Sequence, residues 1–473
     1  MIDCRGNPSP KCKELITYPP KTLHFPSEIF PMYRRKDRKT RPLFPELFPF
    51  SGKLDENNRW LRIADLIPWQ ELEEEYAKHF SDVGRPGTDA QLVIGLLLLK
   101  HMTGLSDVGV VQDVLENPYM QAFCGYEKFV TVEMLDPSTL TRMRERLGLE
   151  FFKELERKTY KLLIDRKIIR AKGMLVDATV FPEKIKYPHD VGLLNDVREW
   201  LDRQIKKLGK MVGKKYRTYP RRSRKEYLNF SKKKTKTKKM INKAKKQMLQ
   251  YVRRNIKHIK DAIEQIRVGG GKVKEHLREK LKVAEKIFHQ QQEMYREKVN
   301  RVEERIVSFT RPYVRPIKRG KQGKKTEFGG KGALVHVGGY MFLDHFEHRA
   351  FAEEERLADH VAGYVSRFGK LPPYASMDAK YGTADNRDLT EKIGVRASFK
   401  RRGRRPKTVD SQDRWFKKKQ RERNQIEGGF GNGKEHYGLD RVKYSIKDGS
   451  EIWVRAGILA MNLKAAANKA GTQ

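Results

Sequence analysis

Cysteine is nearly missing from this chain: three in 473 residues, Cys4, Cys12 and Cys124. Three thiols cannot build a disulfide framework, and no Cys/His spacing matches a zinc site. Acid is short as well, with 60 Asp plus Glu against 101 Lys plus Arg. Long apolar runs are absent: LVIGLLLL, from Leu92 to Leu99, stops at Lys100 and is too short to cross a bilayer. The opening MIDCRGNPSPKCKEL holds no apolar signal core. These shortages point to a reduced, cytoplasmic setting with no membrane partner.

What is plentiful is positive charge, a formal +41 with a pI near 10. Lys and Arg that neutralise phosphates release counterions, so such an excess favours a polyanion as partner. A hydrophobic content of 38% still suffices for a core in at least part of the chain. Residues 1–50, rich in Pro and basic residues, read as an extended arm. Over 51–150 the pattern is helical, in DLIPWQELEEEYAKHF, in TDAQLVIGLLLLKHM opening on Thr88 or Asp89, and in LSDVGVVQDVLENPYMQAFCG. DPSTLTRMRERL follows, with Asp136 placed to cap and Pro137 at the first helical position. Arg142, Arg144 and Arg146 on that helix suit a helix-turn-helix reader of DNA. A plain helical bundle with a basic solvated face fits the same pattern.

KGMLVDATVF, residues 172–181, is compact and β-branched, as in a strand buried on both faces, yet it carries Asp177. Residues 206–246 hold 19 Lys or Arg against one acid, Glu226. Such a segment repels itself and is expected to stay disordered until phosphates lie against it. Leu249, Val252, Ile256, Ile259, Ile263 and Ile266 then form a coiled-coil seam, interrupted by Gly269–Gly271 and resumed from Leu277 through Tyr295, Val302 and Ile306. Two arms folding back roughly 40 Å would make a spacer or a dimerisation hairpin. Beyond it, strands are expected in IVSFT, GALVHVGGYMFLDHF, YASMD and VRASF, alternating with helices in EEERLADHVAGYVSRF and TADNRDLTEKI. The sum is an α/β mixed sheet with one long insertion, over 187–305.

Asp378 closes the strand YASMD, and strand ends are where α/β sheets gather ligands. Asp177, Asp378 and Glu427 on separate elements could share two divalent cations about 3.5 to 4 Å apart, an arrangement that activates a nucleophile on a phosphodiester. Each could equally be a structural acceptor or an ion-pair partner.

The run VDATV with KYPHDVGLL behind it, then SMDAKYGTADNR, then RNQIEGGFGNGKEHYGL resemble the three catalytic blocks of bacterial insertion-sequence transposases of the DDE class, in the insertion-sequence-five group. The last block matches the signature Arg, three residues, Glu, six residues, Lys at Arg423, Glu427 and Lys434. The similarity runs from about residue 50 to 460. It implies an RNase H-like catalytic domain over 168–186 and 306–460, with Asp177, Asp378 and Glu427 holding two Mg2+ or Mn2+ ions. It also places Arg423 and Lys434 on the DNA side. Lys380, Arg142, Arg144 and the run Lys232, Lys233, Lys234 complete the expected DNA contacts. Two positions depart from the family pattern: Gln420 stands where a tyrosine is usual, and His189 where a threonine often follows Tyr-Pro. The implied activity is cleavage at element ends and strand transfer into target DNA by a homodimer, on double-stranded terminal inverted repeats, in the bacterial cytoplasm at the nucleoid. The rivals are a nuclease without strand transfer and a DNA-binding protein with an inactive core.

Overall fold

The computed structural model describes residues 54–81, 83–84, 86–318, 326–403, 410–446 and 448–470. The arm expected over 1–50 lies outside them. Six helices open the described chain: α1 (Arg59–Ala64), α2 (Trp69–Ala77), α3 (Ala90–Thr103), α4 (Asp107–Glu116), α5 (Pro118–Phe123) and α6 (Ser138–Asp165). Their ends follow from local chemistry. The Asp89 carboxylate accepts from Leu92 N at 2.9 Å to start α3, and Gly104, at φ 74°, ends it in the left-handed region. Ser106 caps α4, Asn117 caps α5 ahead of Pro118, and Asp136 accepts from Ser138 N at 2.7 Å. From Ala90 to His101 every residue of α3 is buried, which is where a helix apolar on all sides must go. Among the described residues no single helix is long and apolar enough to cross a membrane.

The sheet begins with β1 (Met174–Pro182) and is completed far downstream by β2 (Arg315–Lys318), β3 (Thr326–Val337), β4 (Tyr340–Glu347), β5 (Tyr374–Ser376) and β6 (Arg396–Ala397). Its order is β2-β3-β1-β5-β6, with β4 also on β3. β1 runs antiparallel to β3 along its whole length and parallel to β5, and β5 is parallel to β6. Central placement accounts for the near-continuous apolar run of β1. Helices α11 (Leu357–Phe368), α12 (Ala384–Lys392), α13 (Ser411–Glu422), α14 (Asn424–His436) and α15 (Gly449–Ala470) flank the strands. α15 packs on α1, α3 and α6 as well as on β4, so one apolar core runs from Trp60 to Ala467 without a break.

Between β1 and β2 stand α7 (Asp190–Met211), α8 (Pro220–Ser231), α9 (Lys238–Val268) and α10 (Glu275–Arg296). They enclose a second apolar core. Three expectations are corrected here. The basic stretch 206–246 is folded: it supplies the end of α7, all of α8 and the start of α9, with Tyr227 and Phe230 packed on the second core. Aromatic residues among the cations pay for its order. The coiled-coil seam is used within the chain. Ile259 is fully buried and Ile256 nearly so, because α7 packs along α9 as a third helix beside α10. Ile263, Leu277 and Tyr295 of the same seam are half-buried against that bundle, and the helix ends at Arg296, before Val302. IVSFT is no strand; Ile306 and Phe309 close the bundle, Phe309 standing edge-on to Trp200 at 5.5 Å. Apolar β-branched runs signal burial, and here the burial is against helices.

Candidate active site at the strand ends

The ladder between β1 and β5 pairs Leu175 with Ser376. Two residues further along each chain stand Asp177 and Asp378, at matching positions on strands that neighbour at about 4.8 Å. Each carboxylate accepts from the N–H of the next residue, Asp177 from Ala178 at 2.8 Å and Asp378 from Ala379 at 2.6 Å. Arg423, at the junction of α13 and α14, reaches both: Nη2 lies 3.1 Å from Asp177 Oδ2 and Nη1 3.8 Å from Asp378 Oδ1. Burial lifts the Asp177 carboxyl above its ordinary value, against the pull of the Ala178 N–H and Arg423, while the charge of Glu353 adds to the lift.

Gln420 holds Arg423 in place. Its Nε2 donates to Met377 O at 3.1 Å and to Ser398 Oγ at 3.3 Å, and its Oε1 accepts from Arg423 Nη1 at 3.3 Å. Ser376 Oγ donates to Lys419 O at 3.0 Å, docking the last turn of α13 on the end of β5. Gln420 thus ties Arg423 to the chain just past β5 that carries Asp378.

Glu427 sits one turn into α14, exposed, with no ion pair or hydrogen bond among the described residues. On the same helix Lys434 Nζ donates to Thr179 Oγ1 at 3.0 Å, two residues beyond Asp177 on β1. The helix runs unbroken through Gly428, Gly429, Gly431 and Gly433. A side chain at Gly429 would strike Met341 and one at Gly433 would strike Leu439, whereas Gly428 and Gly431 face open space. Gly429 therefore lets α14 approach the sheet closely, Gly433 lets the chain after α14 fold back with Leu439 against it, and the other two leave the Glu427 side unobstructed.

The other expected DNA contacts separate. Lys380 is half-exposed and bound to Glu353 at 2.6 Å, which also takes Lys331 at 2.8 Å. Lys232, Lys233 and Lys234 are exposed between α8 and α9, next to the root of the insertion, where Phe230, Ser231 and Lys236 face Lys186 and Arg305. Arg142 is exposed and bonds only its own turn, to Thr139 at 3.0 Å. Arg144 is a correction. It is buried, with Asp107 at 2.5 Å and the Tyr444 ring at 4.2 Å, so it cannot read a groove in this structure. Glu353 and Gln420 were not foreseen as site residues; Glu353 hid in the acidic run AEEER, which reads as a solvated helix start.

Two carboxylates sharing one guanidinium already form a pair that wants a cation, and Arg423 Nε is buried with no hydrogen-bond partner among the described residues. Asp177 and Asp378 thus suit a hard cation in their donor chemistry. The third donor is not gathered in: among the described residues no group of three or more His, Cys, Asp or Glu stands close enough to hold a metal.

Asp177 within β1 and Asp378 just past the end of β5 stand as a pair beneath Arg423, an arrangement that suits chemistry on phosphodiesters. A family model described as a transposase domain of the DUF772 type matches residues 48–146, and one described as a transposase DDE domain matches residues 376–464. A curated relative, the uncharacterized protein ORF8 in the nfe locus of Rhizobium meliloti, is 34% identical over 166 residues, covering 34% of this chain and 80% of the relative. No solved structure matches. The two domain matches together support an insertion-sequence transposase. Enzymes with this domain cleave and move DNA and generally use divalent metal ions.

Proposed function

We propose that this transposase belongs to the insertion-sequence-five group and has an RNase H-like catalytic domain, formed by 168–186 and 306–460 around the insertion 187–305. It cuts the ends of its own element and joins the freed 3′ ends to target DNA. The observation that carries this is the placement of Asp177 and Asp378 side by side on parallel strands, both reached by Arg423. The parallel trio β1, β5 and β6 beside the antiparallel β3 and β4 supports the RNase H-like reading.

Asp177, Asp378 and Glu427 are the residues that would hold Mg2+ or Mn2+, which when bound supplies an activated water and stabilises the leaving oxygen of a phosphodiester. Arg423 orients the two aspartates and balances their charge. Lys434, fixed on Thr179, and Lys380, fixed on Glu353, set cations on either side of the pair, where flanking phosphates would lie. Arg142 and the arm 1–50 remain proposed DNA contacts within a helical end-binding region, 51–150, and two ends call for a homodimer in the cytoplasm, at the nucleoid.

The test is to incubate the full chain with the DNA flanking its own gene and Mg2+, and to map the ends produced. Cuts at the borders of the element with donor ends joined to target are expected. Border cuts without joined products would favour the nuclease. No cutting under any divalent metal would favour a binding protein with an inactive core.

A further inference from the structure

The insertion carries a feature that the acids at the strand ends do not use. Where α7 ends and the chain turns into α8, an open groove of about 1230 Å3 is lined by sixteen residues, eight of them Lys or Arg and one, Asp202, acidic. Asp202 is turned away, bound to Arg198 and Asn255, each at 2.7 Å. Lys214 pairs with Asp261 at 2.8 Å and Arg222 with Glu226 at 3.0 Å. The other six cations, Arg203, Lys206, Lys210, Lys215, Arg217 and Arg221, are exposed and have no carboxylate within ion-pair distance among the described residues. Six like charges around one concavity repel one another, and burying nothing in return they weaken the fold unless an anion sits between them.

The groove is also preformed. Tyr219 holds the left-handed conformation at φ 54°, unusual for a residue with a side chain. Its ring lies between the guanidinium groups of Arg217 at 4.8 Å and Arg254 at 4.7 Å, and Arg254 donates to Thr218 O at 3.1 Å. Arg203, Lys206 and Lys210, at steps of three and four, share one face of α7 and span about 10 Å along it. At 3.4 Å per nucleotide of one strand, that length matches roughly three phosphates.

We propose that this groove is a second DNA-binding site, which takes one strand of the phosphodiester backbone of duplex DNA, without reading sequence. It rests on the transposase reading of the chain and adds to it a contact made by the insertion instead of the sheet. An insertion that grips backbone holds the DNA at a second point beyond the acids, so the cut position is set by two anchors.

The experiment compares full-length wild type with a variant carrying Arg203→Gln, Lys206→Gln, Lys210→Gln and Arg221→Gln, in duplex binding across a salt series. A control variant carries Lys272→Gln, Lys274→Gln, Arg278→Gln and Lys282→Gln, exposed cations past the end of α9 and on α10 that do not line the groove. Loss of four phosphate contacts should reduce the slope of log affinity against log salt by about 3 to 4, and weaken binding more than tenfold at low salt, with the control within twofold of wild type. Thermal melting of both variants close to wild type shows that they are folded; a groove variant that melts early is replaced by Lys206→Gln with Lys210→Gln, for which a slope change near 2 is expected. An unchanged slope in a folded variant overturns the groove while leaving the transposase reading intact. Equal loss in the control variant overturns it too, since the effect is then net charge alone. Loss of affinity for RNA but not for DNA assigns the groove to another partner and overturns the proposal. Wild type that binds no duplex at any salt overturns the groove and the transposase reading together.

Discussion

Around the sheet, charge is taken inside and paired: Glu183 with Arg311, Asp344 with His360 and Arg367, Glu156 with Arg455. In the inserted bundle most cations stay outside, and two buried pairings carry the electrostatics, Asp190 with Lys245 at 3.0 Å and Arg305 at 2.6 Å, and Asp202 with Arg198 at 2.7 Å. The sheet region spends its charges on geometry, because acids at strand ends are only useful if the helices across them are fixed. The bundle keeps its charges free, which suits a surface that meets a polyanion. On the proposed reading, the contrast assigns the two jobs of a DNA-cutting enzyme, chemistry and grip, to two apolar cores.

The largest effect should come from breaking the sheet's half of that division. Asp177→Asn and Asp378→Asn should each lower end cleavage on the order of a thousandfold, about 4 kcal/mol of transition-state stabilisation, with duplex affinity within twofold. Cutting rates near wild type in either variant would remove the pair from the active site. Glu427→Gln sharpens the point: a comparable loss would mean that this exposed carboxylate joins the pair when DNA and metal are bound.

Arg144→Ala should destabilise the chain by about 3 kcal/mol, because it leaves Asp107 without its arginine beside the buried Lys100. Denaturant titration measures it. Reduced DNA affinity at unchanged stability would instead return Arg144 to the DNA face.

Asp190→Asn tests the bundle in the same way and should cost about 2 kcal/mol, with cleavage of a single end retained. Burial pushes the Asp190 carboxyl up, but Lys245 and Arg305 outweigh it and hold the carboxyl below its ordinary 3.8. With the folded value depressed, the stabilisation is present above 3.8 and is lost as the pH falls below it. Wild-type bundle stability, followed by helical signal, should therefore decline on acidification through that range, and the Asp190→Asn variant should decline less.

The smallest effect is expected at Gln420. Gln420→Ala should slow cleavage about tenfold by loosening Arg423, and Gln420→Glu, which keeps one acceptor for Arg423, should recover part of it. Equal rates in all three would show that Arg423 is held by the aspartates alone.

Much of the candidate site is legible along the chain. An aspartate inside an apolar β-branched run, a second closing another strand and the Arg423, Glu427, Lys434 spacing are local patterns, and local patterns survive in a sequence. Gln420 was visible only as an odd residue, since its partners Met377 and Ser398 are 43 and 22 positions away. Arg144 was misplaced because a helix's exposed and buried arginines look alike until Asp107 and Tyr444 are brought against it.

The amino-acid order alone decided the helix ends, through Asp89, Ser106, Asn117 and Asp136, and decided that β1 would lie between other strands, through its unbroken apolar run. Capping and burial periodicity act over a few residues, so they can be read along the chain. Only the tertiary structure decided that the basic stretch 206–246 folds and that the isoleucine seam of α9 faces α7 and α10. It alone set Asp177 and Asp378 on one guanidinium. Each of these depends on which distant surfaces bury one another, and a one-dimensional pattern specifies that a face is apolar without specifying what will cover it.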